Sequence, residues 1–344
     1  MIKDRNFSPL FVEQTEYKPF RYPKYNKLWE KQNAMHWLSK EVPLKDDIVD
    51  WQTKLTDGEK NLLTQVFRFF TQGDVDICNC YLDNYIPNFK CQELRGMLTA
   101  FAHQENIHQE AYAYLLDTIG MPEVEYKAFM DYEEMLSKHE YFQDMSIGKI
   151  DFNDKENLEQ MIYRLLLNMA IFSAFSEGMQ LFSSFAMILN FSRFGKMKGM
   201  GQIVTWSMKD ELLHVYSMID VFNELKKDAM KHGSIGFMSN LDNHIIEICK
   251  HMVEQEERFI KLAFKAGDLQ GLTQKQLLDY VKYTADIRLK QLGIKQTIYN
   301  ITEHPLEWIE GMVHNREHAN FFEQTVTEYA KASTQGEWDE AEFS

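Results

Sequence analysis

Between Thr56 and Lys227 the chain carries four long stretches of helical periodicity, over about residues 57–85, 92–119, 154–191 and 196–227. They form two sequential pairs separated by a long connection, the plan of a four-helix bundle with helices of about 28 to 38 residues. Breakers are scarce, with 16 glycines and 7 prolines in 344 residues, and a chain poor in breakers favours long helices. Thr56-Asp57-Gly58-Glu59 has the form of a capping box that opens the first stretch, and Pro87 closes it. Gly120 and Pro122 stop the second.

Short helices are predicted around 25–39 and 123–138 and two further ones near 240–267 and 273–298, with residues 1–25 as an extended arm bearing Pro9, Pro19 and Pro23. No useful strand-period alternation, internal repeat or composition break is present. The expectation is therefore an all-α chain: one helical domain over 26–320 and a polar tail over 321–344.

A net charge of −15 argues against nucleic acid or an anionic membrane as partner. The most apolar stretch, Leu165 to Phe194, is interrupted by Asn168, Glu177, Gln180 and several serines, so it reads as a buried core helix and not a membrane span. The N-terminus, MIKDRNFSPLFVEQ, has no apolar signal core. Cys78, Cys80, Cys91 and Cys249 fit no zinc spacing and are expected as buried free thiols. Together these features lead to the expectation of a cytoplasmic protein.

Glu105-Asn106-Ile107-His108 and Glu211-Leu212-Leu213-His214 each set a carboxylate and an imidazole three residues apart on one helix face. About one such pair is expected by chance in a chain with this many Glu and His, so two carry little weight alone. Their partners add the weight. Asp74 lies 31 residues before Glu105, and Glu177 lies 34 residues before Glu211 within IFSAFSEGMQLFSSFAM. Helical hairpins bring each pair to similar depth, and a carboxylate amid phenylalanines is costly unless paired or ligated. Asp76 competes with Asp74 but faces another way on the helix; Asp74 is preferred. One carboxylate from each of two helices and Glu-x-x-His from each of the others is the ligand set of ferritin-like dinuclear iron and manganese proteins. Hard oxygens suit Fe and Mn, one imidazole per metal leaves positions open for O₂, and two carboxylates can bridge metals about 4 Å apart. Tyr112 continues the stripe of Glu105 and His108 at offset 7, which makes it either core packing or an oxidisable phenol beside the metals.

At this point the chain resembles a known family, the small, radical-generating subunit of class I ribonucleotide reductase. The matching motifs are Asp74, Glu105-x-x-His108-x-x-x-Tyr112, Glu177 and Asp210-Glu211-x-x-His214, and the resemblance runs from about Asn33 to the C-terminus. It implies a ferritin-like bundle with additional helices, metal ligands Asp74, Glu105, His108, Glu177, Glu211 and His214, and a radical on Tyr112. It further implies that Trp37 begins a radical path, that Asp210 links Trp37 to His108, and that Glu41 lies at the subunit interface. Tyr329 would relay the radical, and the acidic, aromatic-ended GEWDEAEFS would dock on the large subunit that reduces ribonucleoside diphosphates.

A homodimer is implied as well. Two irons are the first expectation for the centre; Mn/Mn, with a flavodoxin-like activator, and Mn/Fe are the alternatives. Asp74 with Tyr112 favours the tyrosyl-radical subclass over the one that replaces the tyrosine by Phe. One departure stands out: of Leu181, Phe185, Val204 and Ser207, which would line the tyrosine, Ser207 is polar where many members are apolar. The rival readings are another ferritin-like oxidase, which needs a substrate pocket but neither Trp37, Asp210 nor the tail, and an iron-storage bundle, to which the length and tail fit poorly.

Overall fold

A computed structural model describes residues 4–312 apart from Ser234. Among these residues there is no strand, only an isolated bridge between Leu269 and Leu272. The helices are α1 (Pro23–Ala34), α2 (Lys45–Thr53), α3 (Asp57–Cys80), α4 (Gln92–Ile119), α5 (Glu133–Asp144), α6 (Leu158–Met169), α7 (Leu181–Arg193), α8 (Lys198–His232), α9 (Ile235–Ala263) and α10 (Gln274–Gln291). A π turn, Tyr81–Tyr85, extends α3, and a π segment, Ala170–Gln180, joins α6 to α7 in one continuous rod. The chain up to Pro305 forms one compact unit; residues 306–312 open a second, helical over 307–312.

Four of these elements make the bundle. Helix α3 packs on α4, the α6–α7 rod packs on α8, and α4 meets α8 between the pairs. Helix α1 runs along α4, while α9 and α10 cover the rod. The rod spans Leu158–Arg193, 36 residues, and by length and composition it could cross a membrane. Its most apolar stretch is 89% buried, so it is the core helix that its polar interruptions predict.

Local chemistry fixes the ends. Glu59 and Thr56 close the capping box of α3: the Thr56 hydroxyl accepts from Glu59 N at 3.2 Å and Glu59 Oε2 accepts from Thr56 N at 2.8 Å. Gly120, at φ 79°, closes α4 in the left-handed conformation. Helix α8 is capped from a distance: Asp47 accepts from Gly199 N and Met200 N at 2.9 and 2.8 Å, and Asp50 accepts from Met197 N at 2.8 Å. A Cβ on Gly199 would come within 2.7 Å of Asp47 Oδ2 and 2.8 Å of the Pro43 carbonyl, so the approach requires glycine.

Several boundaries differ from expectation. The first helix ends at Ala34 instead of Ser39, which leaves Trp37 in an extended segment before a tight turn, Ser39–Glu41. The helix expected over 123–138 is two 3₁₀ turns, Glu123–Tyr126 and Ala128–Asp131, followed by α5. Helix α10 stops at Gln291 because Gly293 turns left-handed (φ 79°), and the Asp286 carboxylate then accepts from the backbone of Ile298, Tyr299 and Asn300. In the N-terminal segment Phe7, Leu10 and Phe11 are buried, and Phe11 stacks on Phe89 at 5.3 Å. All four cysteines are buried and free.

Candidate metal centre

Each of the four bundle helices sends acid into the core: Asp74 from α3, Glu105 and His108 from α4, Glu177 from the π segment, Glu211 and His214 from α8. All six are at most 1% exposed. They fall into two overlapping groups, Glu105, Glu177, Glu211 and His214 in one, Asp74, Glu105 and His108 in the other, with candidate ligand atoms within 4.8 Å of one another in each. Glu105 belongs to both: Oε1 lies 2.9 Å from His214 Nδ1 and Oε2 3.4 Å from His108 Nδ1. Glu211 is placed the same way, 3.1 Å from His108 Nδ1 and 3.5 Å from His214 Nδ1. Two carboxylates therefore lie between two imidazoles whose ring centres are 6.4 Å apart.

These atoms are close without being bonded. Both oxygens of Glu105 and of Glu211, Asp74 Oδ2 and both Nδ1 atoms find no aligned hydrogen-bond partner in the protein. Buried polar atoms are rarely left so, and atoms that approach without aligning are converging on something between them. Four carboxylate charges and two neutral imidazoles also match two divalent cations in charge. The residues thus fit a dinuclear metal centre.

The electrostatics express the crowding. Burial, reinforced by neighbouring carboxylates, pushes Asp74 and Glu177 well above the usual carboxyl range. Burial also pushes Glu105 upward, but the close imidazoles of His108 and His214 outweigh it and hold Glu105 at about 2. Burial opposes protonation of His214, yet Glu211 and Glu105 raise it to about 10; the carboxylates around His108 act in the same direction.

Around the cluster stand the other residues singled out by the sequence. Tyr112 is buried against Phe70, ring centres 4.4 Å apart, and lies 6.4 Å from the His108 ring. Burial and then the Asp74 carboxylate push its phenol well up, while a hydrogen bond with Ser207 acts the other way. Phe185, Val204 and Ser207 are buried and Leu181 is half-buried. Asp210 is a hub: Oδ2 accepts from Trp37 Nε1 at 2.8 Å and Gln104 Nε2 at 2.9 Å and lies 3.1 Å from His108 Nε2, while Oδ1 accepts from Gln32 Nε2 at 3.0 Å. The Trp37 ring lies 5.9 Å from that of His108 and 5.3 Å from Trp206. Glu41 is exposed and accepts from Leu38 N at 2.9 Å, closing its own turn. Tyr329 and the tail lie outside the described residues. Asp76 points away from the cluster, 2.8 Å from His139 Nδ1.

Sequence reading missed three partners: Gln32 and Gln104 on Asp210, and Tyr81, whose phenol donates to Glu177 Oε1 at 3.1 Å. A signal for Tyr81 existed, since it follows Asp74 by seven residues, the offset by which Tyr112 follows Glu105.

Comparison with known proteins agrees with this geometry. A family profile described as "Ribonucleotide reductase, small chain" matches residues 14–305. A protein of Invertebrate iridescent virus 6 named "probable ribonucleoside-diphosphate reductase small subunit" is 42% identical, over 99% of this chain and 98% of its own length. The beta subunit of the Chlamydia pneumoniae enzyme is 27% identical over 90% of this chain and 89% of its own. In fold, the chain is similar to the ribonucleotide reductase R2 subunit from Clostridium botulinum, with a TM-score of 0.73 at 22% identity, covering 87% of this chain and 91% of that one. The six buried candidate ligands lie within the matched region, and the chain belongs to the ribonucleotide reductase small-chain family.

Proposed function

We propose that this chain is the radical-generating small subunit of a class I ribonucleoside-diphosphate reductase, with Tyr112 as the radical residue and Asp74, Glu105, His108, Glu177, Glu211 and His214 as the metal ligands. The observation that carries the reading is the Asp210 carboxylate, shared between Trp37 Nε1 and His108 Nε2. A core built only to bind metal, or to oxidise a small molecule in place, has no need of a tryptophan wired to a ligand histidine.

When bound, the metal pair supplies oxidising power drawn from O₂ or a reduced oxygen species. The residues divide the remaining work. Glu105 and Glu211 span the two halves, and His108 and His214 turn their Nδ1 atoms inward. Asp210 fixes the outer face of His108, setting which nitrogen is left to coordinate. Tyr112 is the donor of one electron and its phenol proton, and Phe70, itself packed on Phe185, covers its ring. Trp37 opens the path outward, Tyr329 relays it and Glu41 sits at the subunit contact.

The partner is the large subunit, which binds and reduces the ribonucleotide; residues 321–344 dock on it, and the small subunit works as a homodimer in the cytoplasm. Iron in both positions is our assignment for the metal. The same donors accept Mn/Mn, with a flavodoxin-like activator, or Mn/Fe.

The test is EPR spectroscopy of oxygen-activated, metal-loaded protein with parallel metal analysis. Wild type is expected to give a tyrosyl signal that Tyr112→Phe abolishes at unchanged metal content. A tyrosyl signal that survives the substitution sinks the assignment of Tyr112. Failure of the activated protein to support ribonucleoside diphosphate reduction with its large subunit sinks the function.

A further inference from the structure

We infer that Tyr81 is a positioning residue for Glu177: its phenol donates to the carboxylate, holds it in one orientation, and so sets the affinity of the half of the centre formed by Glu105, Glu177, Glu211 and His214. This rests on the metal-centre reading above and adds a residue outside the predicted ligand and radical set.

Tyr81 is 1% exposed, with its phenol oxygen 3.1 Å from Glu177 Oε1 and 3.5 Å from Oε2. Its ring stands edge-on to His214 at 6.2 Å and to Phe101 at 6.1 Å, while Phe101 lies 4.2 Å from the His214 ring. Tyr81 thus touches two members of one group and neither Asp74 nor His108. In the other half the outer hydrogen bond falls on the histidine, between Asp210 Oδ2 and His108 Nε2 at 3.1 Å, and Asp74 Oδ2 has no hydrogen-bond partner in the protein.

The backbone explains the placement. Tyr81 begins the π turn, Tyr81–Tyr85, and that wider turn carries the ring across to the rod. Glu177 itself lies in the π segment, where Arg288 Nε donates to the Gly178 carbonyl at 2.8 Å and pins the next residue. The Glu177 backbone is held from one side and its carboxylate from the other. A carboxylate with a fixed donor on one oxygen offers the other in a defined direction, and loss of such an outer hydrogen bond typically weakens metal binding about 10–100-fold.

Metal-free protein titrated with Mn(II), with unbound ion followed by EPR, separates the two halves. Wild type is expected to bind two ions per chain. Tyr81→Phe keeps the ring and removes only the donor; it is expected to bind one of the two ions as wild type does and the other about tenfold more weakly. Co(II) absorption is the second readout, with the band of one bound ion altered in the variant and that of the other unchanged. Tyr85→Phe, one turn further on, is the packing control and leaves both affinities alone. Two ions bound by Tyr81→Phe at wild-type affinity and with wild-type spectra overturn the inference. Equal weakening of both ions overturns it too, since that is loosening of the bundle. A wild type that fails to bind two ions overturns the metal-centre reading instead.

Discussion

His108 faces two ways, with Nδ1 toward Glu105 and Glu211 and Nε2 toward Asp210, whereas His214 Nε2 has no protein partner. The two halves of the centre therefore differ in what holds their imidazoles, one by a carboxylate and the other by the Phe101 ring. In both, the surrounding carboxylates raise the imidazole, His214 to about 10, which favours the protonated ring in metal-free protein. A metal binds the neutral ring, so loading displaces these protons. We expect uptake to release protons at pH 7, from the two imidazoles and from the Asp74 and Glu177 carboxyls that burial also raises, and to weaken as pH falls. Calorimetric titration in buffers of different ionisation enthalpy measures this release; a heat independent of buffer contradicts it.

At the scale of elements, the capping box of α3 carries its own titration. Burial works against ionisation of Glu59, but the Lys196 ammonium at 2.6 Å and the Thr56 donors outweigh it and lower the carboxyl below its usual 4.5. A carboxyl lowered by folding stabilises the native state above its unfolded value, and the contribution is lost as pH falls through the lower native value. Glu59→Gln keeps the cap and loses the ion pair. It is expected to cost up to about 1 kcal/mol at pH 7 by denaturant unfolding, with the difference from wild type shrinking below pH 4.5. A difference that persists unchanged in acid contradicts the ion-pair origin.

The elements also show what was readable in the sequence. The start of α3 at Asp57 and the span Gln92–Ile119 follow from Thr56, Glu59 and Gly120, whose side chains or conformational freedom act within a few residues. The end of α10 does not, because Asp286 draws in the backbone of Ile298 to Asn300 across a dozen residues. The start of α8 depends on Asp47 and Asp50, about 150 positions away. Tyr81 was lost for a related reason: a 3.6-residue period places side chains on an α-helix, and the two π stretches, Tyr81–Tyr85 and Ala170–Gln180, depart from it where Tyr81 meets Glu177. The core cluster was visible because it needs only helices of known pitch, with Asp74 and Glu177 at matching depths. The hub around Asp210 was half visible: Gln32 and Gln104 are ordinary helix residues until α1 is laid along α4.

For the whole molecule, the bundle is a rigid frame that converges four helices on one dry point. The outer helices are tied to it by a second buried charge pair, Lys138 of α5 with Glu256 of α9 at 2.7 Å, which Ser183 of α7 joins through a short hydrogen bond to Glu256. Lys138 also sits 4.1 Å from the centre of the Phe69 ring on α3. A carboxylate cluster as buried as Asp74, Glu105, Glu177 and Glu211 is costly in such a frame unless cations balance it. The most direct measurement is anomalous diffraction at the manganese edge from crystals of protein loaded with Mn(II). The account predicts two peaks per chain about 4 Å apart, with Glu105 and Glu211 between them, Asp74 and His108 on one, Glu177 and His214 on the other. A single peak, or two peaks that do not share Glu105 and Glu211, would contradict it.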